Sequence, residues 1–565
     1  MIENKITASK SSLVLGENPL NIDGFFLSEK STNVCPNGRQ SVLIRNPNAV
    51  SEPILLSAAN RLRNDEDKFI LDLTDKNQKN YGSLTLSPSN EGIRFHLKIE
   101  SYEPIWIVEW KISGLILDEI IIPALGGQSL NQNMPEGNQV SYKYPFWWNA
   151  QFAIGTTKND EGLFLHSKDD KPELKMLRVL KEKNSFELTL GFEAPAPLNL
   201  KSYETEWFLD SFSGGWKNAV DKHRTWLEEK FNLKSFYDNK YFPDWGNDIN
   251  FILEIWGARR DKEFAMHTFD QMTEKIKKFS KFHNPEETLL YLPGFAEHGI
   301  DSNAPDYNPS EQCGGEEKFK LLIEKAHQLG YHVMIHTNVL AMTFGHRLFE
   351  KFKVHQVVDA FGRPQTWGLD IDGDWLAEPY FAYINPSAKE WTDLMEEVIG
   401  NLINKFKVDA VFLDQTLLAF NVSQGENFLS GMRNHVKRLQ EKFSKILFAG
   451  EGLHEQILPV LTMAQIHGID SIAEVHGIDG QVPWRNVHPV SSYLFGKYTR
   501  YTAHLLTKYP LHPLFAAQEK AYEKLGVIPA LVLYSDEQEI DLPETHKMIE
   551  RAKSLNLIKS SNEKN

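Results

Sequence analysis

The first 212 residues carry a pattern typical of β-strands that bury one face. Between residues 93 and 99, Ile, Phe, Leu and Ile alternate with Arg, His and Lys. A period of two places the apolar side chains on one side of a strand. Similar short runs occur at residues 68–73, 83–86, 105–112, 152–155, 162–165 and 186–190, with Gly, Asn, Asp and Pro between them. Many short strands separated by turns predict an antiparallel β-sandwich over residues 1–212.

The hydrophobic period changes in the next segment, residues 213–248. Trp216, Val220, His223 and Trp226 recur at helical spacing, and this spacing predicts a single amphipathic helix. A polar stretch rich in aromatic residues follows it. We therefore expect a bridging helix and a linker between two larger domains.

From residue 249 onwards, strand-like and helical patterns alternate, which is typical of parallel β/α units. The clearest helix has an apolar stripe from Trp391 to Phe406. The predicted strands cover residues 250–256, 288–292, 331–336, 408–414, 446–450, 470–475, 511–516 and 527–534. Eight units in about 290 residues match a closed (β/α)₈ TIM barrel in size, which we expect over residues 249–540, with a C-terminal helix and tail over 541–565. A doubly wound open sheet is the alternative, but no Gly-rich phosphate loop follows any of these strands.

Composition and charge narrow the classes of function. The formal net charge of −15 disfavours nucleic acid as a partner, because phosphate binding needs a basic surface. The two cysteines, Cys35 and Cys313, show no CxxC spacing, so a disulfide framework and a cysteine zinc site are both disfavoured. We see no signal peptide, no transmembrane stretch and no redox-cofactor or nucleotide motif. The expectation is a cytoplasmic protein without a cofactor.

Two carboxylates stand where a barrel places its chemistry, at the C-terminal ends of the strands. Asp414 follows the apolar run Val411-Phe412-Leu413, and a carboxylate there is costly unless it faces a polar site. Glu451 stands between two glycines directly after the next strand. The alternatives are a helix cap for Asp414 and an exposed loop residue for Glu451. As a pair, the two acids fit the cleavage of a glycosidic bond, in which one attacks or stabilises and the other carries a proton.

Longer stretches around these acids resemble a family of barrel glycosidases. The closest likeness is to the endo-α-N-acetylgalactosaminidase-like glycoside hydrolases, and α-galactosidases and α-amylases are more distant. The barrel segments that carry the likeness are 314–319, 330–338, 384–387 and 408–414. Residues 144–148 and 162–165 resemble parts of the N-terminal β-supersandwich of that group, a mutarotase-like fold. The resemblance implies a retaining α-glycosidase in which Asp414 is the nucleophile and Glu451 the acid/base. Burial or a like charge is then expected to raise the pKa of Glu451.

Other polar and aromatic residues near the predicted strand ends are candidates for binding a carbohydrate substrate. They are Asp306, His336, Asn338, Trp256, Glu474 and His476. A turn role for Asp306, a buried structural role for His336 and core packing for Trp256 are the alternatives. Glu474, His476, Asp479 and Arg485 also form a polar cluster after the sixth predicted strand. Glu474 is a second candidate for the proton donor.

Two other functions remain open at the level of sequence. One is a non-catalytic carbohydrate-binding protein on a hydrolase scaffold. The other is a metal-dependent barrel hydrolase that uses His298, His336 and His476, although their spacing matches no standard ligand motif.

Overall fold

A computed structural model describes residues 4–27, 32–65, 67–260, 263–366, 381–467, 482–503, 510–533 and 538–562. The contacts divide the chain into two compact units. The first consists of Met1–Asn232 with Gly480–Leu494, and the second of Leu233–Asp479 with Phe495–Asn565.

The first unit is built from antiparallel strands in two sheets. One sheet runs β1-β2-β3-β4-β9-β16-β15-β12, and the other runs β6-β7-β8-β17-β14-β13-β10-β11-β26. The long strand β5 pairs with β4 in the first sheet and with β6 in the second. The strands are β1 (Lys5–Ala8), β2 (Ser11–Leu15), β3 (Asn21–Phe26), β4 (Gly38–Asn46), β5 (Ala49–Asp65), β6 (Lys68–Thr74), β7 (Tyr81–Ser89), β8 (Gly92–Glu100), β9 (Ile107–Leu115), β10 (Glu119–Ile122), β11 (Gln128–Asn131), β12 (Gln139–Tyr144), β13 (Phe152–Thr156), β14 (Glu161–His166), β15 (Lys175–Lys181), β16 (Phe186–Glu193), β17 (Ser202–Ser213) and β26 (Arg485–Val487).

The two sheets share an aromatic core. Phe95 on β8 and Trp207 on β17 belong to one sheet, and Trp110 on β9 belongs to the other. The Trp110 ring centroid lies 5.1 Å from that of Phe95 and 5.1 Å from that of Trp207. The apolar positions predicted on β8 are all buried, as the alternation requires. The predicted sandwich is therefore confirmed.

The first unit also takes in a segment that the sequence analysis placed inside the barrel. Strand β26 pairs antiparallel with β11. Arg485 on β26 is buried, and its guanidinium donates to Gln128 Oε1 at 2.8 Å and to the Tyr142 hydroxyl at 3.2 Å. The inclusion of Arg485 in a polar cluster at the barrel rim was wrong, because its charge is satisfied inside the sandwich.

The second unit contains a parallel sheet of eight strands in the order β27-β25-β24-β23-β20-β19-β18-β28. A parallel bridge between Thr502 and Ile528 links β27 to the segment that leads into β28. The sheet thus returns on itself, and the predicted TIM barrel is confirmed. The strands of this unit are β18 (Phe251–Ile255), β19 (Thr288–Leu292), β20 (His332–Asn338), β21 (Ala341–Thr343), β22 (Phe381–Tyr383), β23 (Ala410–Asp414), β24 (Leu447–Gly450), β25 (Met463–Gln465), β27 (Arg500–Thr502) and β28 (Ala530–Leu533).

Helices connect the barrel strands and cover their outer face. The apolar stripe of α5 is confirmed, since Trp391, Met395, Ile399 and Phe406 are buried. None of the described helices combines the length and apolar character needed to cross a membrane. The described helices are α1 (Trp216–Phe231), α2 (Phe269–Phe279), α3 (Gly315–Leu329), α4 (Phe349–Phe352), α5 (Lys389–Phe406), α6 (Phe428–Lys442), α7 (Val490–Phe495), α8 (Phe515–Leu525), α9 (Gln538–Asp541) and α10 (Pro543–Asn562).

The sixth and seventh barrel strands differ from the prediction. The described sixth strand is β25, and the predicted range 470–475 lies outside the described residues. The seventh strand is β27, whereas the predicted range 511–516 leads into helix α8. Both observed strands have only three residues, which is too short for a periodic pattern to identify them.

Candidate active site

The parallel register of the barrel brings three polar side chains to one rim. Asn338 at the end of β20 lies opposite Asp414 at the end of β23, and Leu413 lies opposite Gly450 of β24. Glu451 follows Gly450 directly. The carboxyl ends of parallel strands share one edge, and the two predicted acids are therefore neighbours on adjacent strands.

The Asp414 carboxyl group is buried, with 8% of the residue exposed. Asn338 Nδ2 donates to its Oδ2 at 3.3 Å. Its Oδ1 makes no hydrogen bond within the described part of the chain. Burial, followed by the negative charges of Glu451 and Asp301, raises the pKa of Asp414 well above its usual value. Burial and neighbouring negative charge both disfavour the ionised form of this carboxyl group.

The Glu451 carboxylate is held by groups on two loops. The backbone N–H of Gln415 donates to Glu451 Oε2 at 2.9 Å, and His467 Nε2 lies 3.3 Å from Oε1. Gln415 reaches this position with a φ of 65°, which turns the chain sharply at the end of β23. Position 450 favours glycine, because a Cβ there would lie only 2.5 Å from Thr416 Oγ1. That hydroxyl donates to the Glu451 carbonyl oxygen at 3.1 Å.

A third buried acid, Asp301, completes the group, and the sequence analysis did not single it out. Asp301 lies in the loop after β19. Its Oδ2 accepts from Asn338 Nδ2 at 2.8 Å, and its Oδ1 lies 3.3 Å from His336 Nε2 and 3.5 Å from the Tyr307 hydroxyl. Its position in a loop after a strand was a weak sequence signal, and the sequence analysis proposed Asp306 of the same loop instead.

His336 contacts the group through both ring nitrogens. Its Nδ1 lies 2.8 Å from the Tyr291 hydroxyl. A carboxylate only accepts hydrogen bonds, so Nε2 of His336 is the donor in its contact with an ionised Asp301. The imidazole is therefore fixed in orientation beside Asp414.

Buried tyrosines that the sequence analysis did not name also face the acids. The Tyr383 hydroxyl accepts from Gln415 Nε2 at 3.0 Å. Burial and the charges of Glu451, Asp414 and Asp301 raise the pKa of Tyr383 well above its usual value. The phenol stays protonated and can act as a hydrogen-bond donor to substrate oxygen.

Asp306 lies in the same loop as Asp301 but has different partners. Its carboxylate forms ion pairs with Arg347 and with His346, whose Nε2 lies 3.2 Å from Oδ2. Burial raises its pKa, but hydrogen bonds from Arg347 and His346 outweigh that effect and lower the pKa overall. The structure thus places Asp306 in an ionic cluster, and its described side-chain contacts do not include the Asp414 group.

Trp256 follows β18 and is almost fully covered, with 7% exposed. Its indole Nε1 donates to Glu254 Oε1 at 2.6 Å, and the guanidinium of Arg259 lies 5.5 Å from its ring centroid. Burial raises the pKa of Glu254 well above its usual value. The Trp256 ring is thus fixed at its edge and covered by a cation.

Asp301, His336 and Asp414 are also a group that could hold a metal ion, since one ligand atom from each lies within 4.8 Å of the others. This set differs from the histidine set of the metal-hydrolase alternative. His298 is not part of the group, and His476 lies outside the described residues, as does Glu474.

Several solved structures share this architecture at low sequence identity. Ligand-free α-N-acetylgalactosaminidase NagBb from Bifidobacterium bifidum is 11% identical, with a TM-score of 0.71 over 97% of this chain and 93% of that one. The α-galactosidase TtGalA from Thermus thermophilus, in complex with p-nitrophenyl α-D-galactopyranoside, is 13% identical. It has a TM-score of 0.52 over 84% of this chain and 92% of its own. A variant of the GH36 α-galactosidase AgaA from Geobacillus stearothermophilus, in complex with raffinose, is 10% identical, with a TM-score of 0.50 over 98% and 86%.

The likeness to these structures establishes a common fold. This common fold, a sandwich and a barrel, is the one expected from the family that the sequence resembles. No curated protein matches the chain. A family model described as a domain of unknown function (DUF6259) matches residues 201–501 of the 565.

Proposed function

We propose, for a chain that belongs to the DUF6259 family, that its barrel is the catalytic domain of a retaining α-glycosidase. One observation carries the proposal. Asp414 is a carboxyl group at the end of a barrel strand, and its burial, together with the charge of Glu451 on the next strand, raises its pKa. Two interacting carboxyl groups at the C-terminal rim of a barrel are the chemistry that glycosidic cleavage requires.

The proposed roles follow from what holds each carboxyl group. Asn338 occupies Oδ2 of Asp414, which leaves Oδ1 to attack the anomeric carbon and form a glycosyl-enzyme. Glu451 protonates the leaving oxygen and then removes a proton from the attacking water. The Gln415 N–H fixes Oε2 of Glu451, and Oε1, which lies 3.3 Å from His467 Nε2, is the oxygen proposed to exchange the proton with the substrate.

Two coupled acids share their protons as a unit. The reactive form has Asp414 ionised and Glu451 protonated. In the other form Asp414 holds the proton and Glu451 is ionised. Both forms carry one proton on the pair, so they interconvert by moving that proton. Positive charge that develops on the sugar in the transition state favours the ionised Asp414.

Asp301, His336 and Asn338 are proposed to position the nucleophile and to recognise sugar hydroxyl groups. Asp301 contacts His336 Nε2 and accepts from Asn338 Nδ2, which also donates to Asp414, and a pyranose presents hydroxyls that both donate and accept. Solved structures of similar fold are named for action on α-linked N-acetylgalactosamine and galactose. These two α-glycosides are therefore the first substrates to screen, together with their β-linked counterparts.

The test is a screen of aryl glycosides with wild type, Asp414→Asn and Glu451→Gln. The nucleophile variant is expected to lose at least about 10³-fold in kcat. Glu451→Gln is expected to lose most activity on substrates with poor leaving groups and much less on activated ones, which need no proton. Activity near wild type in both variants, or binding of a sugar without any turnover by wild type, would overturn the assignment.

Asp409→Asn is the matched control, because it makes the same chemical change at the opposite end of β23. Burial raises the pKa of Asp409, but hydrogen bonds from His327, His332 and the Val333 N–H outweigh this and bring it to about 2. These contacts are structural. Measured well below its unfolding temperature, this variant is expected to keep kcat.

Retention has its own readout. The anomeric form of the sugar released first is followed by proton NMR before mutarotation. An α-anomer from an α-glycoside supports the glycosyl-enzyme route. A β-anomer would instead indicate an inverting mechanism, in which water attacks the sugar directly.

A further inference from the structure

The buried side-chain amide of Gln415 has a hydrogen-bond partner at only one end. Gln415 follows the proposed nucleophile Asp414 directly, and only 5% of it is exposed. Its amide nitrogen Nε2 donates to the Tyr383 hydroxyl at 3.0 Å. Its amide oxygen Oε1 is buried and accepts no hydrogen bond from the described residues. The amide oxygen is therefore an acceptor whose donor must come from another molecule.

Two costs meet at this residue. A buried acceptor without a donor disfavours the folded state, because it has given up its hydrogen bonds to water. Gln415 also has a φ of 65°, and a positive φ is uncommon for residues other than glycine, with Asn, Asp and His adopting it most readily. Unsatisfied buried groups and strained backbone are both typical of functional sites. The two features together indicate a binding role for the Gln415 side chain.

The amide lies at the same rim as the three buried acids. The backbone N–H of Gln415 donates to Glu451 Oε2 at 2.9 Å. Burial, followed by the charges of Glu451, Asp414 and Asp301, raises the pKa of Tyr383, so the phenol that binds the amide lies within the field of these acids. Asp414 Oδ1, the oxygen proposed to attack the sugar, also makes no hydrogen bond within the described part of the chain. Two consecutive residues thus each present a buried acceptor at this rim.

The chemistry around the anomeric carbon limits what the amide oxygen can bind. That carbon is bonded to the leaving oxygen, the ring oxygen and carbon 2 of the sugar. The leaving oxygen takes a proton from Glu451 in the proposed mechanism, and the ring oxygen has no proton to donate. A donor next to the reacting carbon is therefore found on carbon 2, as a hydroxyl O–H or as the N–H of an acetamido group. An amide oxygen accepts from either group.

We propose that Gln415 Oε1 accepts a hydrogen bond from the donor on carbon 2 of the sugar that is cleaved. The proposal rests on the glycosidase function stated above and adds a specificity-determining residue to it. Hydrogen bonds to the group on carbon 2 strengthen in the transition state of glycoside cleavage. Gln415 therefore raises kcat/KM for sugars with a donor at this carbon, and a sugar without one leaves the amide oxygen unsatisfied in the filled site.

The first experiment measures a substrate preference. Three aryl α-galactosides are compared, which carry a hydroxyl group, an acetamido group or only hydrogen on carbon 2. The readout is kcat/KM for a substrate with a donor divided by kcat/KM for the 2-deoxy substrate. Gln415→Met keeps the length of the side chain and removes the acceptor, and it is expected to lower this ratio about tenfold for the substrate whose donor binds Gln415. The intrinsic reactivity of each substrate cancels when the ratios of two protein variants are compared.

A displaced Glu451 would lower kcat/KM for all three substrates and leave the ratio unchanged, so the ratio separates lost recognition from lost catalysis. Gln415→Asn is the second variant, because Asn suits the positive φ and its amide is withdrawn by one methylene. It is expected to lower the ratio in the same direction. A fall for the 2-hydroxyl substrate identifies an O–H donor, and a fall for the acetamido substrate identifies an N–H donor.

Gln440→Met is the matched control. It makes the same change at a buried glutamine of α6, whose Nε2 donates to the Val460 carbonyl oxygen at 2.7 Å. This variant is expected to keep the wild-type ratio. A ratio that stays at the wild-type value in both Gln415 variants, or that falls equally in Gln440→Met, overturns the proposal.

The second experiment separates this contact from the proposed function, because it needs no turnover. Calorimetry measures the binding of 1,5-anhydrogalactitol and of its 2-deoxy and 2-acetamido-2-deoxy analogues, none of which has a leaving group, to the full-length protein. Wild type is expected to bind at least one analogue with a donor more tightly than the 2-deoxy analogue, and Gln415→Asn is expected to lose this difference. The same pattern in a wild type that cleaves no aryl glycoside would refute the proposed function and support the contact. Equal affinities of wild type for all three analogues would overturn the contact, even if aryl glycosides are cleaved.

Discussion

Asp301→Asn tests the idea that three buried acids act as one electrostatic unit. Ligand oxygens of Asp301 and Asp414 lie within 4.8 Å of each other, and both side chains are buried. Two unit charges at that separation repel by roughly 3.5 kcal/mol at an effective dielectric constant of about 20. The substitution removes this repulsion and keeps the shape of the side chain. It therefore makes ionisation of Asp414 easier.

The sign of the expected change follows from the role of Asp414. Its pKa is raised in the folded protein by burial and by the charges of Glu451 and Asp301. The nucleophile must be ionised, so activity is lost as the pH falls through that raised value. In Asp301→Asn the acid limb of the kcat/KM profile is expected to move to lower pH. At the optimum, kcat/KM is expected to fall roughly 10- to 150-fold, since Asn338 and His336 lose a charged partner.

The assay is a pH profile of kcat/KM from about pH 3 to 9 on the best aryl glycoside, at constant ionic strength. Asp306→Asn is the control, because it neutralises a carboxylate of the same loop that Arg347 and His346 already bind. Its acid limb is expected to stay in place. An acid limb that remains fixed in Asp301→Asn, or one that moves equally in both variants, would refute the coupling between Asp301 and Asp414.

Three further outcomes follow from the packing around the barrel. Asp409→Asn is expected to cost about 2 kcal/mol of unfolding free energy at pH 7. The folded pKa of Asp409, about 2, lies below 3.8. Its carboxylate therefore stabilises the folded protein above pH 3.8, and this stabilisation is lost as the pH falls towards 2. Urea unfolding at pH 7 and pH 3 measures the difference. Glu254→Gln is expected to stabilise the protein. Burial raises the folded pKa of Glu254, so ionisation costs stability. The free energy of unfolding of the wild type therefore falls, relative to that of the variant, by up to about 1.4 kcal/mol for each pH unit above 4.5. A stability difference that does not grow between pH 5 and 7 would contradict this. Gly450→Ala is expected to displace Thr416, shift Glu451 and lower kcat more than KM, with a circular dichroism spectrum like that of wild type as the check on folding.

The barrel was predictable from sequence wherever a strand carried a long apolar run. The five residues of β23 are all buried, and such a run followed by Asp414 identifies both a strand and its end. By contrast, β25 and β27 have three residues each, and one of them contains Arg500, which donates to the backbone carbonyls of Asn247 and Ile249. A buried cation that binds the backbone leaves no hydrophobic signal.

The candidate site was predictable in part for a similar reason. His336, Asn338, Asp414 and Glu451 lie on strands or one residue beyond them, and a strand end can be located from its pattern. Asp301 lies in a loop and reaches the site through a φ of 55°. Its role depends on the path of that loop in three dimensions, which no local period encodes.

Strand β26 has a consequence for how the protein is made. The seventeen strands of the sandwich that precede β26 leave the ribosome long before residues 485–487 do, and until then β11 pairs with β10 alone. Gln128 and Tyr142 likewise receive the guanidinium of Arg485 only at that late stage. During most of its synthesis the nascent chain therefore carries an open sheet edge and two polar groups that lack this cation. An edge of this kind is a site where chaperones or neighbouring nascent chains can bind.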